Sequence, residues 1–291
     1  MKRAIALGTF DGVHIGHRAI IGTAVKNAQA LQMEPMIYTF TAHPMALFGK
    51  QPPLLMTQAE RMATLSSMGC ELCADEFSRE YAATEPELFI KMLIERFDMG
   101  CAVAGFNYTF GRRGEGSVDT LKELGEKYGF RVQIVPPVMY KDEAVSSTRI
   151  RACLENGNVL DAGKMLSNPY SITGPVEKNR GIGRTLDYPT ANISGWEDRA
   201  VPLAGVYATR AIFNGTAYPA VTNIGRNPTV NGEHTTIETH ILGFNADIYG
   251  KKLKVEFIER IRGEIRFPDV NALALQMKAD GEKAADILKN S

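Results

Sequence analysis

The strongest constraint on the fold is a change of periodicity near residue 169. Before it, short apolar runs alternate with helix-like segments; after it, brief strand-like runs follow one another, parted by Gly, Pro and Asn. In the first part, residues 4–7, 36–40, 101–104 and 131–135 have strand character, and 19–31, 59–67, 86–97 and 118–128 have helical character. Such alternation predicts an α/β domain with a parallel sheet, helices on both faces, and ligands beyond the carboxyl ends of the strands. Two shorter helices, 148–155 and 161–166, precede Pro169, which breaks the helical pattern. Residues 170–173, 205–211, 220–222, 236–242 and 253–257 then suit an antiparallel barrel or sandwich, followed by a helix over 270–288. The expected domains are 1–166 and 167–291.

Composition narrows the partners. The chain has 33 Lys and Arg against 33 Asp and Glu, a formal charge of zero, so nothing global draws it to nucleic acid or an anionic membrane. Anion affinity must be local. The apolar run after Met1-Lys2-Arg3 stops at Gly8, too short for a secretory segment, and no run approaches the roughly 18 residues of a membrane span. A soluble cytoplasmic protein is expected, with at most transient self-association. Cys70 and Cys73 lack a second pair at zinc-site spacing, so the four cysteines are expected to be unpaired thiols.

The first predicted strand runs into Gly8-Thr9-Phe10-Asp11-Gly12-Val13-His14-Ile15-Gly16-His17. Glycines let a backbone approach an anion, and a helix starting near Gly16 aims unpaired N–H groups at the same point. His14 and His17, three apart, share a helix face and can donate to a phosphate oxygen. A glycine-rich turn with two incidental histidines fits these ten residues as well. Three other segments fall at the same predicted sheet edge: Ser146-Ser147-Thr148-Arg149-Ile150-Arg151 at a helix start, Gly105 to Gly114 with Asn107 and Phe110, and Phe40-Thr41-Ala42-His43-Pro44.

Gly-x-Phe-Asp-Gly-x-His-x-Gly-His, Gly-x-Asn-x-x-Phe-Gly and Ser-Ser-Thr-x-Ile-Arg, in that order, resemble the nucleotidyltransferase half of the bacterial bifunctional riboflavin kinase/FAD synthetase family. The resemblance implies a Rossmann-like domain in which Gly8, Phe10, Asp11, Gly12, Gly16, Ser147, Thr148 and Arg151 hold ATP. By the same resemblance His14 and His17 act on its phosphates, while Asn107 and Phe110 meet the flavin. Ala42 stands where the family more often has Pro.

In the second half, Gly181 and Gly183 lie in a glycine-rich flap before Pro189-Thr190-Ala191-Asn192, where a hydroxyl and an amide suit Mg²⁺ and phosphate oxygens. Alone, such a turn is ordinary structure. With Asn223-Ile224-Gly225, Glu238-Thr239-His240 and Asp247 to Lys251 following in order, it resembles the riboflavin kinase module, which implies an antiparallel barrel closed by a helix. Asp187-Tyr188 replaces the family's usual Gly-Phe. Glu238, in an otherwise apolar strand, is the candidate general base for the ribityl hydroxyl, and Thr190 and Asn192 are the candidate metal ligands.

The expected activity is therefore ATP-dependent phosphorylation of riboflavin to FMN, then adenylylation of FMN to FAD with pyrophosphate released. ATP, riboflavin, FMN, FAD and Mg²⁺ are the implied small molecules. A nucleotidyltransferase with another acceptor would not need the second half, and a flavin-binding regulator would not need the candidate catalytic side chains.

Overall fold

The computed structural model describes residues 1–177, 189–229 and 232–290, with side chains outside 226–234. Gly181, Gly183 and Asp187 lie outside them. The chain divides into two compact units, Met1–Ser147 and Thr148–Ser291.

In the first unit, β1 (Arg3–Leu7), α1 (Ile15–Leu31), β2 (Glu34–Phe40), α2 (Gln58–Ser66), β3 (Glu71–Asp75), α3 (Arg79–Ala82), α4 (Pro86–Phe97), β4 (Met99–Gly105), α5 (Val118–Tyr128) and β5 (Arg131–Val135) alternate along the chain. The five strands form one parallel sheet in the order β3-β2-β1-β4-β5. Strand alternation sorts β1 between two cores: Ala4 and Ala6 face α1, whereas Ile5 and Leu7 join Phe89, Leu93 and Leu121 from α4 and α5. The small residues on the α1 side, with Ala24 and Ala28 opposite, let that helix lie close to the sheet. Helix α2 begins on a capping box, Thr57 and Glu60 exchanging bonds of 3.1 and 2.9 Å. A small hairpin, β6 (Met139–Tyr140) and β7 (Glu143–Ala144), leads into α6 (Ser147–Glu155).

After α6 come α7 (Val159–Leu166), β8 (Tyr170–Glu177), β9 (Ala191–Ile193), β10 (Gly205–Phe213), β11 (Thr216–Thr229), β12 (Gly232–Ile241), β13 (Lys252–Arg262) and α8 (Val270–Lys289). The six strands close an antiparallel barrel in the order β10-β11-β12-β9-β8-β13. The sequence pattern left barrel and sandwich open; closure settles it as a barrel. Its interior holds Tyr170, Tyr207 and Phe257 together with a ladder of buried hydroxyls, Thr209 to Thr222 to Thr239, at 2.9 Å each. Helix α7 packs against β8 and β13. Helix α8 is pinned by Asp280, which receives Arg262 Nη2 at 2.7 Å and Gln276 Nε2 at 2.9 Å.

Because Asp280 and Arg262 are both largely buried, removing one leaves the other charge uncompensated. Asp280→Ala is expected to destabilise the second unit by about 3 kcal/mol in urea unfolding; a change below about 0.5 kcal/mol would show the pair to be incidental.

Candidate active site

The turn from β1 to α1 is built on left-handed backbone. Gly12 has φ 81°, and two non-glycine residues, Phe10 and Val13, have φ 55° and 40°. The turn places His14 as N-cap of α1, where its Nδ1 accepts the backbone N–H of His17 at 3.2 Å. That bond fixes the neutral His14 tautomer with its proton on Nε2, leaving a donor for a ligand. The His14 and His17 rings stack at 3.5 Å, with the buried Phe10 ring edge-on to His17 at 5.4 Å. Gly16 makes room for the stack, since a Cβ there would lie 3.1 Å from the His14 ring. His17 Nδ1 is sequestered from solvent and has no hydrogen-bond partner among the described residues. A buried polar atom left in that state calls for a ligand.

Burial lowers the His14 pKa to about 4. Burial, the adjoining His14 and the Arg61 charge hold His17 well below the usual histidine range. Both rings are neutral near pH 7 and act as hydrogen-bond donors rather than cations.

Three anchors hold the turn. Asp11 Oδ1 accepts the Leu55 N–H at 3.2 Å, Ser147 Oγ donates to the Asp11 carbonyl at 2.9 Å, and Arg61 Nη1 donates to the Thr9 carbonyl at 2.6 Å. Ser147 is thereby brought to the turn as the sequence suggested. Thr148 and Arg151 follow it on α6, within the second compact unit. His43, at the end of β2, repeats the capping device of His14, its Nδ1 accepting the Met45 N–H at 3.2 Å.

Asn107 is exposed just after β4, the neighbour of β1 in the sheet. Its Oδ1 lies 3.6 Å from where a Gly105 Cβ would be, beside Ile20 of α1, so the amide and the histidine turn share one sheet edge. Phe110 lies beneath this loop as a core residue, stacked on Tyr108 at 5.6 Å and tilted against Phe89 at 5.7 Å. Exposed Phe106 directly follows β4 and exposed Phe48 ends a short 3₁₀ turn after β2; neither was given a role from the sequence. Large apolar side chains exposed after strand ends were the signal available.

On the barrel, Asn192, Glu238 and Asn223 form a cross-strand row over β9, β12 and β11. Alternation puts this row on the outer face, because Thr222, Thr239 and Ala191 on the other face are buried. Glu238 is half-buried, forms no hydrogen bond or ion pair among the described residues, and its burial pushes the carboxyl pKa up. Thr190 lies two residues before Asn192 and borders a cleft of about 440 Å³ lined also by Ala191, Phe244, Asp247 and Tyr249. His240 Nδ1 lies 2.9 Å from the Pro189 carbonyl, tying this segment to β12. Arg260 and Arg262 are structural: the first donates to the Ala204 carbonyl at 2.9 Å, the second holds Asp280. No group of three or more His, Cys, Asp or Glu among the described residues forms a metal cage. The Thr190 hydroxyl and Asn192 amide, two neutral oxygens spaced two residues apart, have the hard-donor chemistry that would hold Mg²⁺.

A parallel α/β unit with a phosphate-directed turn, followed by a closed barrel, defines a two-domain enzyme acting on phosphorylated small molecules. The family model described as FAD synthetase matches residues 1–149, and that described as riboflavin kinase matches 166–288. The bifunctional riboflavin kinase/FMN adenylyltransferase of Bacillus subtilis (strain 168) is 36% identical over 297 residues, covering 99% of this chain and 93% of its own. That of Escherichia coli (strain K12) is 32% identical over 282 residues, covering 95% and 90%. A crystal structure from Streptococcus pneumoniae, described as a macrolide-efflux protein, superposes with a TM-score of 0.89 at 34% identity, over 98% of this chain and 94% of that one. No helix among the described residues of the present chain is long and apolar enough to cross a membrane. The chain belongs to the bifunctional riboflavin kinase/FMN adenylyltransferase family. It phosphorylates riboflavin to FMN with ATP, and adenylylates FMN to FAD with release of pyrophosphate.

The neutral histidine pair links stability of the first unit to pH. The folded His14 pKa lies below its unfolded value of 6.5, so the unfolded chain binds more protons and stability falls as pH drops through this window. Between pH 6.5 and 4 the protein is expected to lose about 3 kcal/mol more than His14→Asn, which keeps a helix cap, when urea unfolding is followed against pH. Parallel curves for the two proteins would contradict the buried, neutral ring.

Proposed function

We propose that the two half-reactions are carried by two separate constellations: His14, His17 and Asn107 for adenylylation within residues 1–166, and Glu238 with Thr190 and Asn192 for phosphorylation within 167–291. One observation supports this division above the rest. Among the described residues each unit keeps a group without a hydrogen-bond partner, the buried His17 Nδ1 in the first and the half-buried Glu238 carboxylate in the second.

In the kinase step, Glu238 accepts the proton of the ribityl 5′-hydroxyl as that oxygen bonds to the γ-phosphorus of ATP and the bond to ADP breaks. A carboxylate raised by burial, with no cationic partner among the described residues, is a stronger base than an exposed one. Thr190 and Asn192 hold Mg²⁺, which supplies charge neutralisation at the phosphates. Gly181 and Gly183 are assigned to the ATP flap from sequence.

In the adenylyl step, a phosphate oxygen of FMN attacks the α-phosphorus of a second ATP, and the bond to the β-phosphate breaks to release pyrophosphate. The nucleophile is already an anion, so no general base is required; positioning and charge stabilisation carry the rate. Gly8, Gly12 and Gly16 shape the turn, Phe10 and Asp11 hold it, and Ser147 joins it; Thr148 and Arg151 are assigned to ATP from sequence. His14 Nε2–H donates to a phosphate oxygen. Asn107 orients the FMN phosphate, with Phe110 supporting its loop and Phe48 and Phe106 offering rings to the flavin. In this account the enzyme works in the cytoplasm on small molecules, with at most transient self-association.

With riboflavin, ATP and Mg²⁺ supplied, Glu238→Gln should lower FMN formation by about 10³-fold while FAD synthesis from added FMN stays within about twofold of the parent. His17→Ala should lower FAD synthesis by about 10²-fold and spare FMN formation. Equal loss of both activities in either variant would contradict the division, as chromatography of the products will reveal.

A further inference from the structure

Arg61 has no part in the mechanism above, yet its placement is costly and specific. It lies on α2, four residues before the core residue Leu65, and is only 6% exposed. Its Nη1 donates to the Thr9 carbonyl at 2.6 Å and to Thr39 Oγ1 at 3.1 Å. Its Nη2 donates to the carbonyls of Phe40 at 2.7 Å and Thr41 at 3.1 Å. The guanidinium forms no ion pair among the described residues; the nearby Asp11 charge favours it from a distance, while burial disfavours it.

Packing does not require a cation here. An apolar side chain one turn from Leu65 would hold α2 against the sheet without the desolvation penalty of a buried charge. What an apolar residue cannot do is join the segments that follow β1 and β2. Thr9 belongs to the turn that ends in His14, and Phe40 and Thr41 lead into His43. Only a planar fork of donors reaches four acceptors on two strands at once; a lysine would present a single point.

We propose that Arg61 is a positioning residue of adenylyl transfer, fixing the His14–His17 turn against the end of β2 and keeping a permanent positive charge behind the stacked rings. This rests on the assignment of that turn to the ATP phosphates. The permanent charge acting on His17 is that of Arg61, which Asp11 in turn favours. Arg61 adds to burial and to His14 in holding His17 neutral, so the rings meet the triphosphate as donors without first titrating. The positive potential that phosphate charge needs comes from a group that does not lose its proton.

Arg61→Met and Arg61→Lys separate the two roles. Both should lower kcat for FAD synthesis from FMN, by about 10²-fold for Met and at least about 10-fold for Lys, with the ATP KM changed less than about threefold. Riboflavin phosphorylation serves as the internal control. The His17 titration, followed by imidazole NMR, should move up in Arg61→Met, with burial still holding it below the ordinary range, and stay in place in Arg61→Lys. If Arg61→Met does not fold, Arg61→Lys decides on kcat alone. A kcat within twofold of the parent in Arg61→Lys, with His17→Ala impaired, overturns the role of Arg61. Unimpaired His17→Ala instead overturns the site on which the proposal rests.

Discussion

Everything at the carboxyl edge of the first sheet depends on a strained turn. Phe10 and Val13 both adopt left-handed backbone that side chains with a Cβ disfavour, at a cost of about 1–3 kcal/mol each. Such strain persists only where the surroundings over-determine it. Here the Phe10 ring is fully buried, the Thr9 carbonyl is held by Arg61, the Asp11 carboxylate by the Leu55 N–H, and the Asp11 carbonyl by Ser147. The result is a fixed origin for α1, with His14 as its cap and the rings stacked where helix N–H groups and dipole converge.

The two units bury arginines in opposite ways, and the contrast follows their tasks. In the barrel, Arg262 meets Asp280 through paired bonds, so charge is cancelled where α8 must simply stay attached. In the sheet domain, Arg61 is satisfied by neutral oxygens, so its geometry is fixed while its charge remains largely uncancelled. For the triphosphate site proposed here, the second arrangement is the favourable one. Glu238 shows the reverse arrangement: the carboxylate proposed as general base has no cation beside it among the described residues, and sits in a row of neutral amides.

Much of this was legible in the sequence. The short apolar runs and helical segments of the first half correspond to β1, β2, β4, β5 and their helices, and Gly-x-Phe-Asp-Gly-x-His-x-Gly-His forms the predicted turn before α1. Strand β3 was missed because Glu71-Leu72-Cys73-Ala74-Asp75 has acids at both ends and, as an edge strand paired only with β2, needs no continuous apolar run. Strand β9 is three residues long and is specified by its partners β8 and β12. Arg61 gave one local hint, a charge sharing a helix face with Leu65, but three of its four acceptors are backbone carbonyls twenty and more residues away, which carry no side-chain signature. Phe110 reads as an aromatic beside Asn107; that its ring lies in the core follows only from the packing of α4.

The proposed adenylyl-transfer site is built on a buried, neutral imidazole pair. Nitrogen NMR of the labelled histidines at pH 7, before and after adding FMN with a non-hydrolysable ATP analogue, addresses it directly. The free protein should hold His14 with Nδ1 bare and Nε2 protonated, and the ligands should shift both His14 and His17 while leaving His14 Nδ1 unprotonated. A His14 that is cationic before ligand arrives, or a pair whose resonances ignore the nucleotide at saturation, would contradict the account.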